Sequence, residues 1–286
     1  FDFEWSNKNL FYDQYTRTKS YWDNSELANP GGAATPEELV YLEPWRDRLP
    51  AETFTTTYEP PSTGGTEEGL RANLATGLEL LESAGWTVGD DGLLVNEAGE
   101  PFEFEIVLDS QSWERNTQPF IDNLERMGIK ATMRLVDPSQ YETQVEKFDY
   151  DMIVLNRGMS PSPGNEQRGY WTCESAQTEG SQNYWGVCNE ALDGLVENVV
   201  QAKSREELVN ATHALDRALL WQHLGVPHWH IRSDRVAYWD VIGRPADSPI
   251  YGIDFNSWFY NTAEAEQIRA AQEELEFVEP TAEPEG

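Results

Sequence analysis

The chain has few cationic side chains. Lysine and arginine together number 20 against 51 aspartates and glutamates, which gives its 286 residues a formal net charge of −31 at pH 7. Such a surface repels nucleic-acid phosphates and anionic lipid headgroups, so we expect neither nucleic acid nor an anionic membrane as a partner. The acidity is typical of a soluble protein or of one adapted to a salty environment. The alternative is that the charge attracts cationic ligands.

Long apolar runs, a starting methionine and a signal peptide are missing as well. No stretch approaches the roughly 20 apolar residues that a membrane-spanning helix needs. The chain starts at Phe1 with FDFEW, a partly apolar string typical of the middle of a domain. This start predicts a fragment or one product of a cleaved precursor. With 39% hydrophobic and 12% aromatic residues, the sequence still predicts one large or two ordinary globular domains.

Common enzyme motifs are missing too. Ser160 and Ser162 do not lie in a G-x-S-x-G string, so no nucleophile elbow is predicted. The sequence contains no H-E-x-x-H metalloprotease string, no phosphate-binding P-loop and no dinucleotide-binding glycine pattern. These absences favour a binding function over catalysis.

The one candidate metal site is a group of three histidines, His223, His228 and His230. They have no paired carboxylate pattern beside them, so packing roles are favoured over metal binding. Asp149 and Asp151 are likewise better explained as residues at the start of a strand than as a glycosidase acid pair. We therefore predict no catalytic residue, no cofactor and no metal.

Cysteine occurs only twice, as Cys173 and Cys188, fifteen positions apart in an irregular segment. This spacing suits a disulfide in an oxidising compartment. The alternative is two unrelated buried thiols, each behaving as a small apolar side chain. We predict the Cys173–Cys188 disulfide, which would hold the nearby Asn183–Trp185 segment in place.

Hydrophobic periodicity predicts an α/β arrangement from residue 67 onward. Leu70, Leu74 and Leu78 recur at helical spacing, and Gly85 is suited to end that helix. A strand, a helix and a second strand then follow at the spacing of two parallel strands with a right-handed crossover. The predicted helices are 36–42, 67–84, 113–127, 138–147, 192–202 and 205–222; the predicted strands are 102–108, 129–136, 150–155 and 226–240; tight turns are predicted at 91–92 and 98–99.

The segment 148–193 carries most of the unusual polar chemistry of the chain. It opens as a strand and continues as a loop dense in serine, proline, glycine and asparagine, for which no helix is predicted. Long irregular loops in compact domains are usually binding loops or linkers, and the aromatic content favours a binding loop. The candidate ligand-binding residues in it are Ser160, Ser162, Asn165, Glu166, Arg168, Trp171, Asn183, Tyr184 and Trp185.

Structural roles remain open for several of these side chains. Ser160, Ser162 and Asn165 can donate to ligand carbonyls or cap the turns that Pro161 and Pro163 impose. Asn183 fits a loop-bracing role slightly better than a ligand role. The aromatic residues can wall a ligand pocket, although buried aromatic side chains more often belong to a core.

Several local strings resemble one known family. FDFEWSNKNLFYDQYTRTKSYWDNSELA, LLESAGWTV with DGLLVNEAGEPFEFEIVL, GSQNYWGVCNEALDGLVENVVQA and ALDRALLWQHLGVPHWHIRSDRVAYWD occur in the family's order. Together they resemble the C-terminal half of a family 5 extracellular solute-binding protein. These proteins are the dipeptide- and oligopeptide-binding receptors of ABC importers. The SPSPGNEQR loop and the FDFEW opening are similar to the YejA-like branch, which includes microcin C and oligopeptide binders.

The resemblance implies an α/β, type II periplasmic-binding-protein-like fold, with one complete α/β lobe plus the C-terminal part of a second lobe. Residues 1–44 would cross from the first lobe into the second, 45–224 would form the second lobe with a mixed sheet, and 225–262 would return. Residues 263–286 would begin as a solvated helix and end as an acidic, disordered tail. The N-terminal half of the receptor would be absent.

The implied function is capture of peptides between two lobes and delivery to the permease subunits of an ABC importer. The implied location is periplasmic or otherwise extracytoplasmic, with a lipid anchor at the membrane surface as one option. A secreted glycan-binding or glycan-active protein is the alternative, suggested by eleven tryptophans and the acidic surface. An upstream secretory signal and first lobe would favour the receptor, and an upstream catalytic domain would favour the alternative.

The sequence departs from the family at one point. Many of these receptors have an Asp-rich loop after the strand predicted here at 150–155, where it pairs with the ligand's α-amino group. The corresponding string here is RGMSPSPGNEQR, in which Glu166 is the one carboxylate. Glu166 can hold a ligand ammonium through a charge-assisted hydrogen bond, or Arg168 can neutralise it as a structural pair.

Overall fold

The computed structural model describes residues 1–247 and 252–276, which fall into two compact units. The first unit is Phe1–His230 and the second begins at Ile231. The helices are α1 (Phe3–Leu10), α2 (Pro36–Leu42), α3 (Glu52–Thr55), α4 (Glu67–Ser83), α5 (Glu114–Glu125), α6 (Pro138–Glu146), α7 (Glu166–Trp171), α8 (Cys173–Ala176), α9 (Glu190–Val200), α10 (Arg205–Leu220) and α11 (Thr262–Glu276). The strands are β1 (Thr16–Arg17), β2 (Thr87–Val88), β3 (Leu94–Val95), β4 (Glu103–Leu108), β5 (Lys130–Leu135), β6 (Met152–Ile153), β7 (Trp229–His230), β8 (Ile242–Gly243) and β9 (Phe259–Tyr260).

A three-stranded sheet in the order β5-β4-β6 lies at the centre of the α/β part. Both pairs are parallel, with Ile106 opposite Met133 on one side and Met152 on the other. The predicted β4-α5-β5 crossover is confirmed. The sheet is parallel throughout within the described residues, so the expectation of a mixed sheet is wrong. The antiparallel pairs of the first unit, β1-β7 and β2-β3, form separate two-stranded ladders.

Local signals set the boundaries of several elements. Thr35 and Glu38 form a reciprocal capping box at the start of α2, which fixes the predicted short helix. Gly85 has a positive φ of 92° directly after α4, so the predicted helix-ending glycine is confirmed. The predicted turn at 91–92 joins β2 and β3, and Gly92 also has a positive φ there. Each of these features depends on residues fewer than ten positions apart.

Strand β6 is shorter than the predicted strand 150–155. The Asp151 side chain accepts the backbone N–H of Glu105 at 3.0 Å, which takes a donor that a longer ladder would use. The carbonyl of Val154 accepts the Tyr141 hydroxyl at 2.9 Å. Side chains therefore end the ladder early, and the chain leaves the sheet after Ile153.

The predicted strand 226–240 is also mostly wrong. Only Trp229 and His230 form a strand, and they pair antiparallel with β1 rather than with β4. The Trp229 ring lies 4.5 Å from Phe11 and 4.7 Å from His228, centroid to centroid. The aromatic alternation that predicted a long strand therefore reflects ring packing around a short one.

The second unit contains the β8-β9 antiparallel pair and helix α11. Helix α11 begins at Thr262, so the predicted start of a helix near residue 263 is confirmed. The predicted disordered tail beyond residue 276 lies outside the described residues.

The main core forms where α9 and α10 pack against the segment that runs from Tyr21 to α2. Its fully buried side chains include Leu27, Leu42 and Trp171. A smaller cluster covers the sheet, where Ile121 of α5 packs on Ile106 and Leu108 of β4. The leucine face of α4 is only half-buried, although its spacing predicted a buried face. The segment after β6 is thus held against the helical core.

A buried charged network joins α10 to the Tyr21–α2 segment. Arg217 donates from Nε to Oε2 of Glu38 at 2.8 Å, and both side chains are almost completely buried. His213 lies 3.4 Å from the other Glu38 oxygen. Asp216 accepts the backbone N–H groups of Tyr21 and Asn29 at 2.9 and 3.1 Å. The network therefore fixes residues near the start of the chain to a helix near residue 217.

His213→Gln is expected to destabilise the protein more at pH 5.5 than at pH 8. Burial alone would lower the pKa of His213, but hydrogen bonds to Glu38 and to the carbonyl of Glu26 outweigh it, and the pKa is raised. Because its pKa is higher in the folded state than in the unfolded state, protonated His213 stabilises the fold. This contribution is fully present below the unfolded-state pKa of about 6.5 and is lost as the pH rises through the folded-state pKa. Chemical unfolding of both variants at the two pH values checks this.

The Glu38→Gln background is the control for this prediction. Burial alone would raise the pKa of Glu38, yet hydrogen bonds from His213 and Thr35 and the Arg217 cation leave it lowered. Removing that carboxylate removes the group that favours protonated His213. The difference between the stability losses that His213→Gln causes at the two pH values should then shrink. An equal loss of stability at both pH values in the wild-type background would contradict the raised pKa of His213.

Candidate functional site

The candidate site is the segment 156–189 that leaves the carboxyl end of β6, named here the aromatic loop. It contains α7 and α8, so the prediction of an irregular loop without helices is wrong. The helix-breaking residues serve as turns and caps between short helices. Thr172 ends α7 and caps α8 by accepting the Ser175 N–H at 3.3 Å, and Gly164 accepts the Gln167 N–H ahead of α7. Glu166, Arg168 and Trp171 therefore lie on a helix.

Asn183 braces this loop from inside. Its side chain is fully buried and donates to the carbonyls of Thr172 and Val187 at 3.1 and 2.8 Å. Its oxygen accepts the Val187 N–H at 3.1 Å. Because both ends of the amide are engaged within the loop, Asn183 supports the site rather than facing a ligand.

The Cys173–Cys188 disulfide closes the same segment. The sulfurs are 2.11 Å apart and the Cα atoms 4.1 Å apart, so the predicted disulfide is confirmed. The Cys173 N–H also donates to Asp193 of α9 at 2.9 Å. The disulfide and Asn183 together fix the Tyr184–Trp185 segment from two sides.

Trp171 and Trp185 form a stacked pair whose ring centroids are 4.8 Å apart. Trp171 is completely buried, donates from its indole N–H to Gln167, and has Tyr21 edge-on at 5.0 Å. Trp171 therefore belongs to the core. Trp185 and Tyr184 are only partly buried, so these two remain candidates for a pocket wall.

Arg157 is the central side chain of the site, and the sequence prediction missed it. Its guanidinium carbon lies 4.0 Å from the ring centroid of Tyr170, 5.0 Å from that of Tyr184 and 5.4 Å from that of Trp185. It donates from Nη2 to the carbonyl of Gln182 at 2.8 Å. Burial lowers the pKa of Arg157, and the neighbouring tyrosines oppose that effect. The sequence signal that could have identified Arg157 is its position between a strand and an aromatic-rich loop.

Tyr150 supports this group of rings from the sheet. Its hydroxyl donates to the carbonyl of Tyr184 at 2.6 Å, and burial raises the pKa of Tyr150 to about 12. The hydroxyl therefore stays protonated as a donor throughout the physiological range. This bond ties the aromatic loop to the segment just before β6.

Arg168 does not pair with Glu166. Its Nε and Nη2 donate to the two carboxylate oxygens of Glu197 on α9 at 2.6 and 2.8 Å, and Nη1 donates to Asn165 at 2.5 Å. The alternative in which Arg168 neutralises Glu166 is therefore wrong. Glu166 accepts the Gly164 N–H at 2.9 Å and the Gln167 amide at 3.2 Å, both through Oε1.

Ser160 acts as a turn cap, accepting the Ser162 N–H at 3.0 Å. The turn is fixed from outside by Arg205, which donates to the carbonyl of Pro161 at 2.7 Å. Ser162 lies exposed beyond it. Of the two roles open for these serines, capping is the one that the structure shows for Ser160.

His223, His228 and His230 are the three histidines that the sequence suggests as a possible metal site. Burial, with Arg17 nearby, lowers the pKa of His228 to about 4, and its ring stacks on Trp229. His223 contacts the rings of Tyr58 and Trp221. Within residues 1–247 and 252–276 no group of three or more His, Cys, Asp or Glu side chains is placed to hold a metal. No helix in those ranges is long and apolar enough to cross a membrane.

The family model for bacterial extracellular solute-binding proteins, family 5, middle region, matches residues 1–181. The chain belongs to this family. It is 43% identical over 263 residues to the uncharacterized protein y4wM of Sinorhizobium fredii, covering 92% of this chain and 39% of that protein. It is 37% identical over 264 residues to the probable peptide-binding protein YejA of Agrobacterium fabrum, covering 92% and 43%. The predicted resemblance to the YejA-like branch is confirmed.

The fold of this family 5 chain matches that of a solved oligopeptide-binding protein. The oligopeptide-binding protein AppA of Bacillus subtilis, in complex with a nonapeptide, superposes with a TM-score of 0.53 at 16% identity, covering 90% of this chain and 49% of that one. The predicted type II periplasmic-binding-protein-like α/β fold is confirmed. The chain spans about 40% of the length of the curated relatives it matches.

Proposed function

We propose that this family 5 chain is part of the peptide-binding receptor of an ABC importer. The observation that carries the proposal is its 37% identity, over 92% of its length, to a probable peptide-binding protein. The aromatic loop adds a physical reason, since it leaves the carboxyl end of a parallel strand, where open α/β sheets bind ligands. The receptor binds peptides without turning them over.

The proposed mechanism is closure of two lobes around the peptide. Residues 45–224 form one lobe, 1–44 enter it, and 225–262 return toward a first lobe supplied by the N-terminal half of the receptor. Strands β1 and β7 belong to the entering and returning segments and pair directly, as expected of a hinge. The closed receptor works outside the cytoplasm, in the periplasm or anchored by lipid to the membrane surface, and delivers the peptide to permease subunits.

Peptide is favoured over glycan because the site tryptophans serve mainly as packing. Trp171 is buried and Trp185 stacks on it, so at most one face of Trp185 is left of this pair for the flat stacking that a sugar needs. Mass spectrometry of what co-purifies with the whole protein encoded by the gene tests the proposal. Peptides are the expected result, and an oligosaccharide alone would overturn it.

Glu166→Gln should weaken binding of peptides with a free α-amino group and spare N-acetylated ones. In the proposed site Glu166 binds the ammonium through Oε2, which accepts no hydrogen bond from the described residues. Losing such a charge-assisted contact costs about 1.5–3 kcal/mol. Calorimetry with paired free and acetylated alanine peptides measures the difference.

Glu174→Gln is the matched control, because Glu174 is an exposed glutamate on α8 of the same loop. It should leave both affinities unchanged. Equal affinity of the wild type and Glu166→Gln for the free-amino peptide would remove Glu166 from the site.

A further inference from the structure

The turn at residues 11–15, directly after α1, has a strained backbone. Tyr12 and Asp13 have φ angles of 55° and 58°, in the left-handed region that favours glycine. A bulky residue such as tyrosine rarely adopts this conformation, because its Cβ approaches the following carbonyl oxygen. Two successive residues of this kind persist only where the surrounding structure holds the turn.

Asn7 of α1 supplies much of that support. Its side-chain oxygen accepts the backbone N–H of Tyr15 at 3.1 Å, and its side-chain nitrogen donates to the carbonyl of Tyr15 at 3.1 Å. The carbonyl of Asn7 also accepts the N–H of Asp13 at 2.9 Å. The rings of Phe11 and Tyr15 pack edge-on, 5.0 Å apart from centroid to centroid. The turn is therefore fixed at both ends, with Tyr12 between them.

The ring of Tyr12 gains little packing from this arrangement. Tyr12 is 77% exposed, the highest value among the large hydrophobic residues of the first unit. Its neighbours Phe11 and Tyr15 instead pack against Trp229 of β7, at centroid distances of 4.5 and 6.0 Å. Backbone strain that the surrounding structure maintains is concentrated at ligand-contact and switch sites. The strained turn therefore suggests a function for the exposed ring.

The turn lies at the carboxyl edge of the parallel sheet. Arg115, at the start of α5 and just beyond the carboxyl end of β4, donates from Nη2 to the carbonyl of Leu10 at 2.6 Å. The ring of Trp113, in the same connection, lies 6.3 Å from that of Trp229. Strand β4 pairs with β6, and the aromatic loop leaves the carboxyl end of β6. The turn and the aromatic loop thus share the edge at which open α/β sheets bind ligands.

We propose that Tyr12 is a specificity residue whose ring packs against an apolar side chain of the bound peptide. This rests on the proposed peptide-binding function. A tyrosine ring buries a large apolar area, and it loses little conformational freedom in doing so. Because the turn fixes the backbone of Tyr12 before the ligand arrives, the ordering cost of binding is lower.

The test uses the whole protein encoded by the gene, tetra-alanine and the four tetrapeptides in which one alanine is replaced by phenylalanine. In calorimetry of the wild type, phenylalanine at one position should tighten binding about tenfold relative to tetra-alanine. Tyr12→Gly should bring this ratio close to one and leave the affinity for tetra-alanine nearly unchanged. Tyr12→Phe, which keeps the ring, should keep the ratio.

Tyr12→Gly also separates a ligand contact from a structural role. Glycine adopts the left-handed conformation without steric cost, so the variant should have a urea midpoint at least as high as that of the wild type. Asp13→Gly is the matched control, because it relieves the neighbouring left-handed residue and leaves the ring in place. Its urea midpoint should be at least as high as that of the wild type, and it should keep the preference for phenylalanine.

Four results would overturn the inference. If no phenylalanine position tightens binding to the wild type, no apolar side chain is recognised. If the ratio survives in Tyr12→Gly, the ring does not contact the ligand. If Tyr12→Gly weakens all five peptides equally, or lowers the urea midpoint, the ring packs against the protein itself. Failure of every peptide to bind, with a non-peptide ligand co-purifying, would remove the proposed function and this inference together.

Discussion

Glu38→Gln will lower the free energy of unfolding by about 3–5 kcal/mol, the range seen when one partner of a buried ion pair is removed. Arg217 would keep its hydrogen bonds to the carbonyls of Gly31 and Gly32, at 3.0 and 2.9 Å, but lose its counter-charge. Both partners are almost fully buried, so water cannot replace the carboxylate. Urea unfolding of wild type and variant measures the loss.

Glu43→Gln is the control for this prediction, since Glu43 pairs with Arg46 directly after α2 but on the surface. Water and salt screen exposed pairs, so this variant should be nearly neutral. Glu38→Leu combined with Arg217→Leu should recover part of the stability, because neither partner of the pair is then buried without the other. A Glu38→Gln loss as small as that of Glu43→Gln would show that the pair is not buried in solution.

Cys173→Ser combined with Cys188→Ser will lower the free energy of unfolding by about 3 kcal/mol, the chain-entropy value for a loop of this size. The loop closed by the disulfide spans fifteen positions and includes Asn183 and Tyr184. Loss of the disulfide should also weaken peptide binding, because Tyr184 and Trp185 must then be ordered when the ligand arrives. Urea unfolding and calorimetry measure the two effects.

A reductant supplies the control for the disulfide. Dithiothreitol should lower the unfolding midpoint of the wild type toward that of the double variant and leave the double variant unchanged. Two free thiols titrating in denatured, unreduced wild type would show that the disulfide is absent. An unchanged midpoint in the double variant would show that it contributes no stability.

Short-range features could be predicted from the sequence, because their determinants are neighbours. The helix-ending Gly85, the β4-α5-β5 crossover and the disulfide each depend on one local pattern. The strand predicted at 226–240 failed because ring packing and strand alternation give the same pattern of aromatic residues. Periodicity alone cannot separate the two.

Partners distant in sequence could not be predicted. The sequence suggests Glu166, two positions away, as a partner for Arg168, but Arg168 binds Glu197, 29 positions away on α9. No sequence motif identifies Arg157, because the rings around it come from positions 170, 184 and 185. The disulfide and Asn183 hold the loop so that these rings lie close to Arg157. The site is therefore defined by how the loop folds back on itself rather than by any string in it.

The bonds from Tyr21 and Asn29 to Asp216 limit how early the main core can close during synthesis. They join positions 195 and 187 residues apart, so the acceptor is synthesised long after both donors. Closing such large loops is entropically slow, and non-local contacts delay folding. The β4-α5-β5 unit can assemble as soon as it emerges, whereas the Tyr21–Asn29 segment must wait for α10. The main core can therefore close only after synthesis has passed Asp216, later than the β4-α5-β5 unit.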